Sequence, residues 1–176
     1  MSGPAQLTAV LDFESRAAHD HHGALRLWLR LFTCNVMVER VIRVRLRERF
    51  GISLARFDFL AQLDRAPGGL RMQELSRRLM VTGGNVTGLA RELAREGLVA
   101  RESPATDRRV QVIRLTPKGR RAFAVMARAH EAWIVELMGS LPDDERDRLY
   151  AGLGRLKREV ARRAPATTVP RAEEAT

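Results

Sequence analysis

Three observations make this 176-residue chain a mainly α protein with a small β element. Apolar residues recur at three- and four-residue spacing through most of its length, the period of helices that bury one face. Two short segments, 98–102 and 110–115, break that period and flank a polar loop. Hydrophobic residues make up 45% and charged residues 30%, an ordinary globular balance in a chain long enough to bury a core without disulfides or metal.

Taken in order, residues 1–13 are small and mixed, and 164–176 carry two prolines and no apolar period; both ends read as disordered. Residues 14–163 read as one continuous domain with no internal repeat. From about Glu14 to Phe50 the pattern is one long helix with two apolar stripes. Leu25, Trp28, Leu29, Phe32 and Val36 form one stripe; Leu27, Leu31, Cys34, Val38 and Val41 form the other. A helix apolar on two faces needs more than one neighbour, or a second subunit, to cover it. Gly51 ends this helix and Ser53 is suited to cap the next, which sets Phe57, Leu60 and Ala61 on one face and stops at Pro67-Gly68-Gly69.

A helix is then expected over Arg71–Leu79, with Met72, Leu75 and Leu79 on one face. After Met80-Val81, Thr82 caps a second helix whose buried face is Val86, Leu89, Ala90 and Leu93, closed by Gly97. Two short helices about three residues apart form a helix-turn-helix. The strands Leu98–Glu102 and Val110–Leu115 follow, joined by Ser103-Pro104-Ala105-Thr106-Asp107-Arg108-Arg109, which is too polar and basic for a core. Helix-turn-helix plus basic hairpin makes a winged helix over 53–115. Thr116 with Pro117 opens another helix, in which Phe123, Met126, Ala127, His130, Ile134 and Leu137 share a face. The last helix, about Pro142 to Arg163, places Leu149, Leu153, Leu156 and Val160 near heptad spacing. Its acidic first turn and basic last turn both suit the helix dipole.

Charge points to the partner. Lys and Arg number 31 against 21 Asp and Glu, a net charge of +10, and only Lys118 and Lys157 of the basic residues are not arginine. Arginine is favoured where planar contact with phosphate or a base edge matters; a GC-rich genome would give the same bias. Duplex DNA is therefore the first partner to test. On the second helix of the pair, the face opposite Val86, Leu89 and Leu93 offers Thr82, Gly83, Gly84, Asn85, Thr87, Gly88 and Arg91. Glycines there cost helix stability, about 1 kcal/mol each against alanine, which makes sense where backbone must approach a groove closely. Asn85 can pair with adenine, Thr87 can meet a thymine methyl or a phosphate, and Arg91 can reach phosphate or guanine. In the hairpin, Asp107 stands two residues before Arg109 and can hold its guanidinium for insertion into a minor groove.

The run from Asp107 to Gly119 resembles the wing signature of the MarR family: D-x-R, five residues, then L-T-x-x-G, here Leu115-Thr116-Pro117-Lys118-Gly119. Leu75-Ser76-Arg77-Arg78-Leu79 and Asn85-Val86-Thr87 are similar to that family's helix-turn-helix, and the likeness covers about residues 23–162. It implies a homodimer paired through 14–50 and 117–163, and two winged helices on a palindromic DNA operator. It often implies a small-molecule effector as well. By position, Asp107 and Arg109 are the wing-tip pair, joined by Arg108, and Thr82 to Arg91 is the recognition helix. Arg77 and Arg78 count with the DNA-contacting residues. Arg71 stands where the family often has a Ser or Thr cap, and adds a phosphate contact. The stretches 27–31 and 80–89 look closest to repressors of aromatic-acid catabolism, whose effectors include hydroxycinnamoyl-CoA thioesters and hydroxylated nicotinate.

An effector pocket is expected where the first long helix, the Phe57/Phe59 helix and the Phe123 helix meet near the dimer seam. Trp28 and Phe32 share a stripe with Arg30 beside it; an aromatic acid needs a flat apolar slot and one guanidinium. The simpler reading of Trp28, Phe32, Phe57 and Phe59 is plain core. His22 could donate to an acidic effector if its segment folds over the pocket, while His19-Asp20-His21-His22 as a metal cluster lacks a second ligand pair. Cys34, the single cysteine, excludes an intramolecular disulfide framework or multi-cysteine metal site; the alternatives to an effector-responsive repressor are a nonspecific architectural DNA binder and a thiol- or metal-sensing regulator.

No cofactor is implied. An enzyme is not expected: G-x-S-x-G, H-E-x-x-H and a Walker loop are all missing from the sequence, and Gly83-Gly84 follows no strand. No stretch is apolar enough to span a membrane and no secretory leader is visible, so a cytoplasmic, nucleoid-associated protein is expected.

Overall fold

The computed structural model describes residues 22–79, 83–102 and 111–163, and only the backbone of 83–85. The chain divides after Trp133 into two compact units. The elements run α1 (Gly23–Phe50), α2 (Leu54–Asp64), β1 (Leu70–Arg71), α3 (Met72–Leu79), α4 (Gly83–Arg95), β2 (Val99–Glu102), β3 (Val112–Leu115), α5 (Pro117–Met138) and α6 (Asp143–Arg163). The division falls inside α5. Among the described residues no helix is long and apolar enough to cross a membrane.

The long first helix starts at Gly23, nine residues later than its sequence pattern suggests; residues 14–21 lie outside the described residues. His22 is non-helical (φ −108°, ψ 8°), and its carbonyl accepts the first helical bond, from the Arg26 amide at 2.8 Å. Only Ile42 and Leu46 of α1 are buried. Leu25, Leu27, Trp28, Phe32, Val36 and Met37 are 42–59% exposed, so the two-faced apolar pattern is real and its N-terminal half is uncovered within one chain. The helix closes at Gly51, whose amide donates to the Arg47 carbonyl (3.0 Å), while the Ile52 amide reaches that of Leu46 (3.4 Å). Ser53 caps α2 as expected, its hydroxyl accepting from the Arg56 amide at 3.3 Å.

The sequence pattern predicted two strands; the described residues form three. Leu70 and Arg71 form β1, which pairs antiparallel with β3 (Leu70↔Ile113, Arg71↔Val112), so the helix expected from Arg71 begins at Met72. A two-residue strand carries no period, and its reason for existing lies about forty residues away in its partner. The sheet order is β1-β3-β2, with Val99↔Leu115 to Glu102↔Val112 pairing the wing strands. Gly69 leads into β1 at φ 84°, where a Cβ would sit 2.5 Å from the Val112 and Arg114 side chains. Glycine is needed there for both its positive φ and its lack of a side chain.

The core of the first unit gathers where α2, α3, α4 and the sheet meet. Phe59, Leu60, Leu63, Leu75, Val86, Leu93 and Ile113 are each at most 1% exposed. The predicted faces hold: Leu75 is buried on α3, and Val86, Ala90 and Leu93 on α4. From α5, Phe123 packs on Phe57 (ring centroids 5.5 Å) and Trp133 on Phe50 (6.2 Å).

The start of α5 locks the wing strands to the end of α4. The Thr116 hydroxyl accepts from the Gly119 amide (2.9 Å), the cap that Thr-Pro promised. It also lies 2.7 Å from the Gly97 carbonyl and 3.3 Å from that of Leu98, to which it donates. The Thr116 amide donates to Leu98 as well, at 3.0 Å. Gly119 is buried against the same strand: a Cβ would lie 1.9 Å from the Leu98 carbonyl oxygen. The L-T-x-x-G run thus has a steric and hydrogen-bonding reason. Gly119→Ala is expected to cost about 1–3 kcal/mol, read as a lower urea midpoint at unchanged slope.

Candidate nucleic-acid interface

Of the polar face expected on α4, Thr87, Gly88 and Arg91 are among the fully described residues. On α4 the buried Val86, Ala90 and Leu93 leave Gly88 and Arg91 exposed and Thr87 half-exposed. Arg95, one turn beyond Arg91, is exposed on the same side and was not among the expected contacts. Gly84 and Asn85 lie in the first turn of α4, where only the backbone is described. Thr82, Asp107, Arg108 and Arg109 lie outside the described residues.

Arg71 is exposed on β1, a strand rather than a helix cap, and sits directly before α3. Arg77 and Arg78 are exposed on α3, yet neither is an isolated charge. Glu74 accepts from Arg78 Nε at 2.8 Å and also pairs with Arg77. The hydrogen bond from Arg78 holds the Glu74 carboxyl below its usual range. Sequence reasoning passed over Glu74; its spacing of three and four to the two arginines is the signal that was available.

Three further contacts fix the end of α4 and the wing strands. Arg56 of α2 pairs with Glu96 just after α4, and Lys118 of α5 donates to the Glu96 carbonyl at 2.8 Å. Arg114 reaches Glu102 across the wing strands at 3.3 Å. The Arg114–Glu102 pair is exposed and worth at most about 1 kcal/mol, whereas Arg56 is mostly buried, its Nε included.

Within one chain the residues expected at an effector slot fall in two places. Trp28 and Phe32 stack on each other (5.8 Å, 18° between planes) on the uncovered half of α1, 59% and 53% exposed. Arg30 is exposed beside them, and His22 is exposed at the helix start. Phe59 is fully buried and Phe57 packs between Phe123 and His130, so these two rings belong to the core. Cys34 is exposed on α1. No group of three metal-binding side chains exists among the described residues. Asp143 and Asp144 pair with Arg146 and Arg148 on α6.

A cavity of about 410 Å³ opens elsewhere, between α1, α2 and the helix-turn-helix. Its walls include Ile52, Leu54, Leu79 and Leu89, with Glu39, Arg43, Arg47 and Asp58 as its charged groups. Arg43 donates to Glu39 at 2.9 Å and holds that carboxyl low. Burial pushes the Asp58 carboxyl up, opposed by the nearby His130; burial in turn pushes the His130 imidazole down, opposed by Asp58.

Comparison with known proteins decides the family. Residues 50–110 match the model of the MarR family. A MarR-family transcriptional regulator from Silicibacter pomeroyi superposes with a TM-score of 0.68 at 31% identity, covering 80% of this chain and 96% of that one. The HTH-type transcriptional repressor YetL of Bacillus subtilis is 33% identical over 135 residues, 76% of this chain and 80% of YetL. The chain belongs to the MarR family. This MarR-family chain is a DNA-binding transcriptional regulator, not an enzyme. FabT of Streptococcus pneumoniae, solved in complex with DNA, is similar at 28% identity and TM-score 0.68, over 80% of this chain and 99% of that one. The transcriptional activatory protein BadR of Rhodopseudomonas palustris is 32% identical over 119 residues, 66% of this chain and 67% of BadR.

A raised carboxyl pKa means that the folded state favours neutral Asp58; the stability tied to it is full at low pH and is lost as pH rises through the folded value. Asp58→Asn removes that loss. The variant is expected to melt roughly 1–3 °C higher near neutral pH, a small gain because the group is half solvated, and to lose the advantage at about pH 4.

Proposed function

We propose that this regulator is a ligand-responsive repressor that binds a palindromic operator as a homodimer in the cytoplasm, within the nucleoid, and is released by an aromatic acid or its CoA thioester. The observation that carries the dimer is α6: a helix of 21 residues with no buried residue and an apolar stripe of Leu149, Leu153, Leu156 and Val160, each at least 40% exposed. The uncovered stripe of α1 makes the same demand. Apolar patches of that length call for a partner, and a second copy offers the same stripes.

In this reading Asn85, Thr87 and Arg91 read the major groove, Thr82 and Gly84 bring the helix start to the backbone, and Asp107 orients Arg109 in the minor groove with Arg108 on phosphate. Arg71, Arg77 and Arg78 hold the flanking backbone. The similarity to a repressor, YetL, supports repression, although BadR shows that a relative can carry an activating name. For the effector, the stacked Trp28 and Phe32 with Arg30 beside them offer an aromatic platform and a guanidinium; Phe57, Phe59 and His22 would support it only through the core and the helix start. A bound ligand would favour a dimer whose recognition helices no longer match one turn of DNA, ~34 Å. Its effect is limited by its differential affinity for the two states.

Polarised-fluorescence titration of the promoter duplex flanking the protein's own gene, against a scrambled duplex, tests the whole reading. Discrimination of ~10³ or more is expected, with release by one member of a panel of aromatic acids and CoA thioesters. Equal binding to both duplexes would mean a nonspecific architectural binder instead, and loss of response in Cys34→Ser would mean a thiol sensor. Arg109→Ala should weaken binding and flatten its salt dependence; Asn85→Ala should relax specificity at one operator position by about 1–3 kcal/mol. Leu153→Glu should convert the dimer to monomer in light scattering; an unchanged mass would remove α6 from the interface.

A further inference from the structure

Glu74 stands in the first turn of α3, the third residue of the helix, with Arg71 just before the helix offering no side-chain oxygen as a cap. In the capping box such a carboxylate turns back toward the cap residue. Here it turns forward: Glu74 takes Arg78 Nε on one oxygen, at 2.8 Å, and Arg77 on the other. The side chains of Arg77 and Arg78 remain 60% and 38% exposed, so the carboxylate ties two guanidinium groups down without hiding them. Among the described residues, no other carboxylate pairs with either of them. Met72 and Leu79 are half-buried and Leu75 fully buried, which sets the apolar face inward and leaves this trio on the outer face.

We infer that Glu74 is a specificity-determining positioning residue, which holds Arg77 and Arg78 back from indiscriminate phosphate contact and releases them only when the recognition helix is seated. The inference rests on the reading of Arg77 and Arg78 as backbone contacts. The physical basis is competition. A guanidinium bound to a fixed carboxylate three or four residues away must give up that pair to bind a phosphate. On an unrelated duplex, where the base-edge contacts are poor, little compensates the exchange. On the operator, base contacts hold the helix-turn-helix at the backbone long enough for the exchange to occur. The charge is thus present in both complexes but used fully only in one. A protein with a net charge of +10 needs such restraint, since every free arginine adds to binding that ignores sequence.

The test is a cycle on the full-length chain: wild type, Glu74→Gln, the double variant Arg77→Ala/Arg78→Ala, and all three changes together. Each is titrated with the promoter duplex and the scrambled duplex between about 50 and 200 mM salt. Glu74→Gln is expected to bind the scrambled duplex roughly fivefold tighter, with a salt slope steeper by about one, while operator affinity changes less. The Arg77→Ala/Arg78→Ala pair should bind both duplexes more weakly with a shallower slope. With the arginines gone, Glu74→Gln should lose its effect on the slope. Strict additivity around the cycle would overturn the inference, since it would mean that Glu74 acts only by its own negative charge. If Glu74→Gln changes neither affinity nor slope while the arginine pair weakens binding, the inference fails and α3 stays a backbone contact. If the arginine pair changes nothing, α3 does not touch DNA and both fall together. Melting temperatures separate these results from a folding defect, and Glu74→Asp, whose shorter carboxylate keeps the charge but not the reach, should behave like Glu74→Gln on the slope.

Discussion

The architecture depends on one close approach, that of Gly119 to the Leu98 carbonyl. Because Gly119 has no Cβ, the first turn of α5 settles onto the start of the wing, and Thr116 reaches the carbonyls of Gly97 and Leu98 with its hydroxyl. Three elements are thereby joined at one point: the end of the recognition helix, the wing strands and the long helix α5. Lys118 adds a bond to the Glu96 carbonyl, and Arg56 takes the Glu96 side chain from the α2 side. A shift of α5 therefore moves the end of α4 and the wing strands with it, since packed junctions of this kind do not deform continuously.

Several arginines have a carboxylate close by. Glu39 takes Arg43, Glu74 takes Arg77 and Arg78, Glu96 takes Arg56, and Glu102 takes Arg114. Apart from the mostly buried Arg56, these are exposed pairs that add little stability. What they set is where the excess positive charge can go. On α4 Arg91 and Arg95 stand outward over a wholly apolar inner face, while on α3 the charge is tethered. That contrast falls within one helix-turn-helix, between residues that a count of net charge treats alike.

Apolar surface is distributed as unevenly as charge. The first unit has a dense core around Phe59, Leu60, Leu75 and Ile113, whereas α6 buries nothing and the first half of α1 leaves a stacked Trp28–Phe32 pair in solvent. A helix of that kind gains its stability from whatever covers it, because packing of an apolar face outweighs intrinsic propensity. The homodimer proposed above is the economical cover, and the effector platform proposed on Trp28 would then lie beside it. Asp58 and His130, each displaced from its usual range by burial and each partly restored by the other, sit between α2 and α5, where such a rearrangement would be felt.

Nearly everything local was legible in the sequence. Ser53 and Thr116-Pro117 marked helix starts, Gly51 and Gly97 marked ends, and three- and four-residue spacing marked Val86, Ala90 and Leu93 as one buried face. These signals are short-range, so one chain segment carries both the residue and its cause. The tertiary structure decided what depends on distant partners. Leu70 and Arg71 are a strand only because β3 lies beside them, and Phe57 and Phe59 are core because α5 and the sheet close over α2. Spacing could place Glu74 near two arginines, but only the folded helix shows that the carboxylate turns to them. Periodicity tells a residue which way to face; what it meets there is set by loops and pairings that close over long stretches of chain.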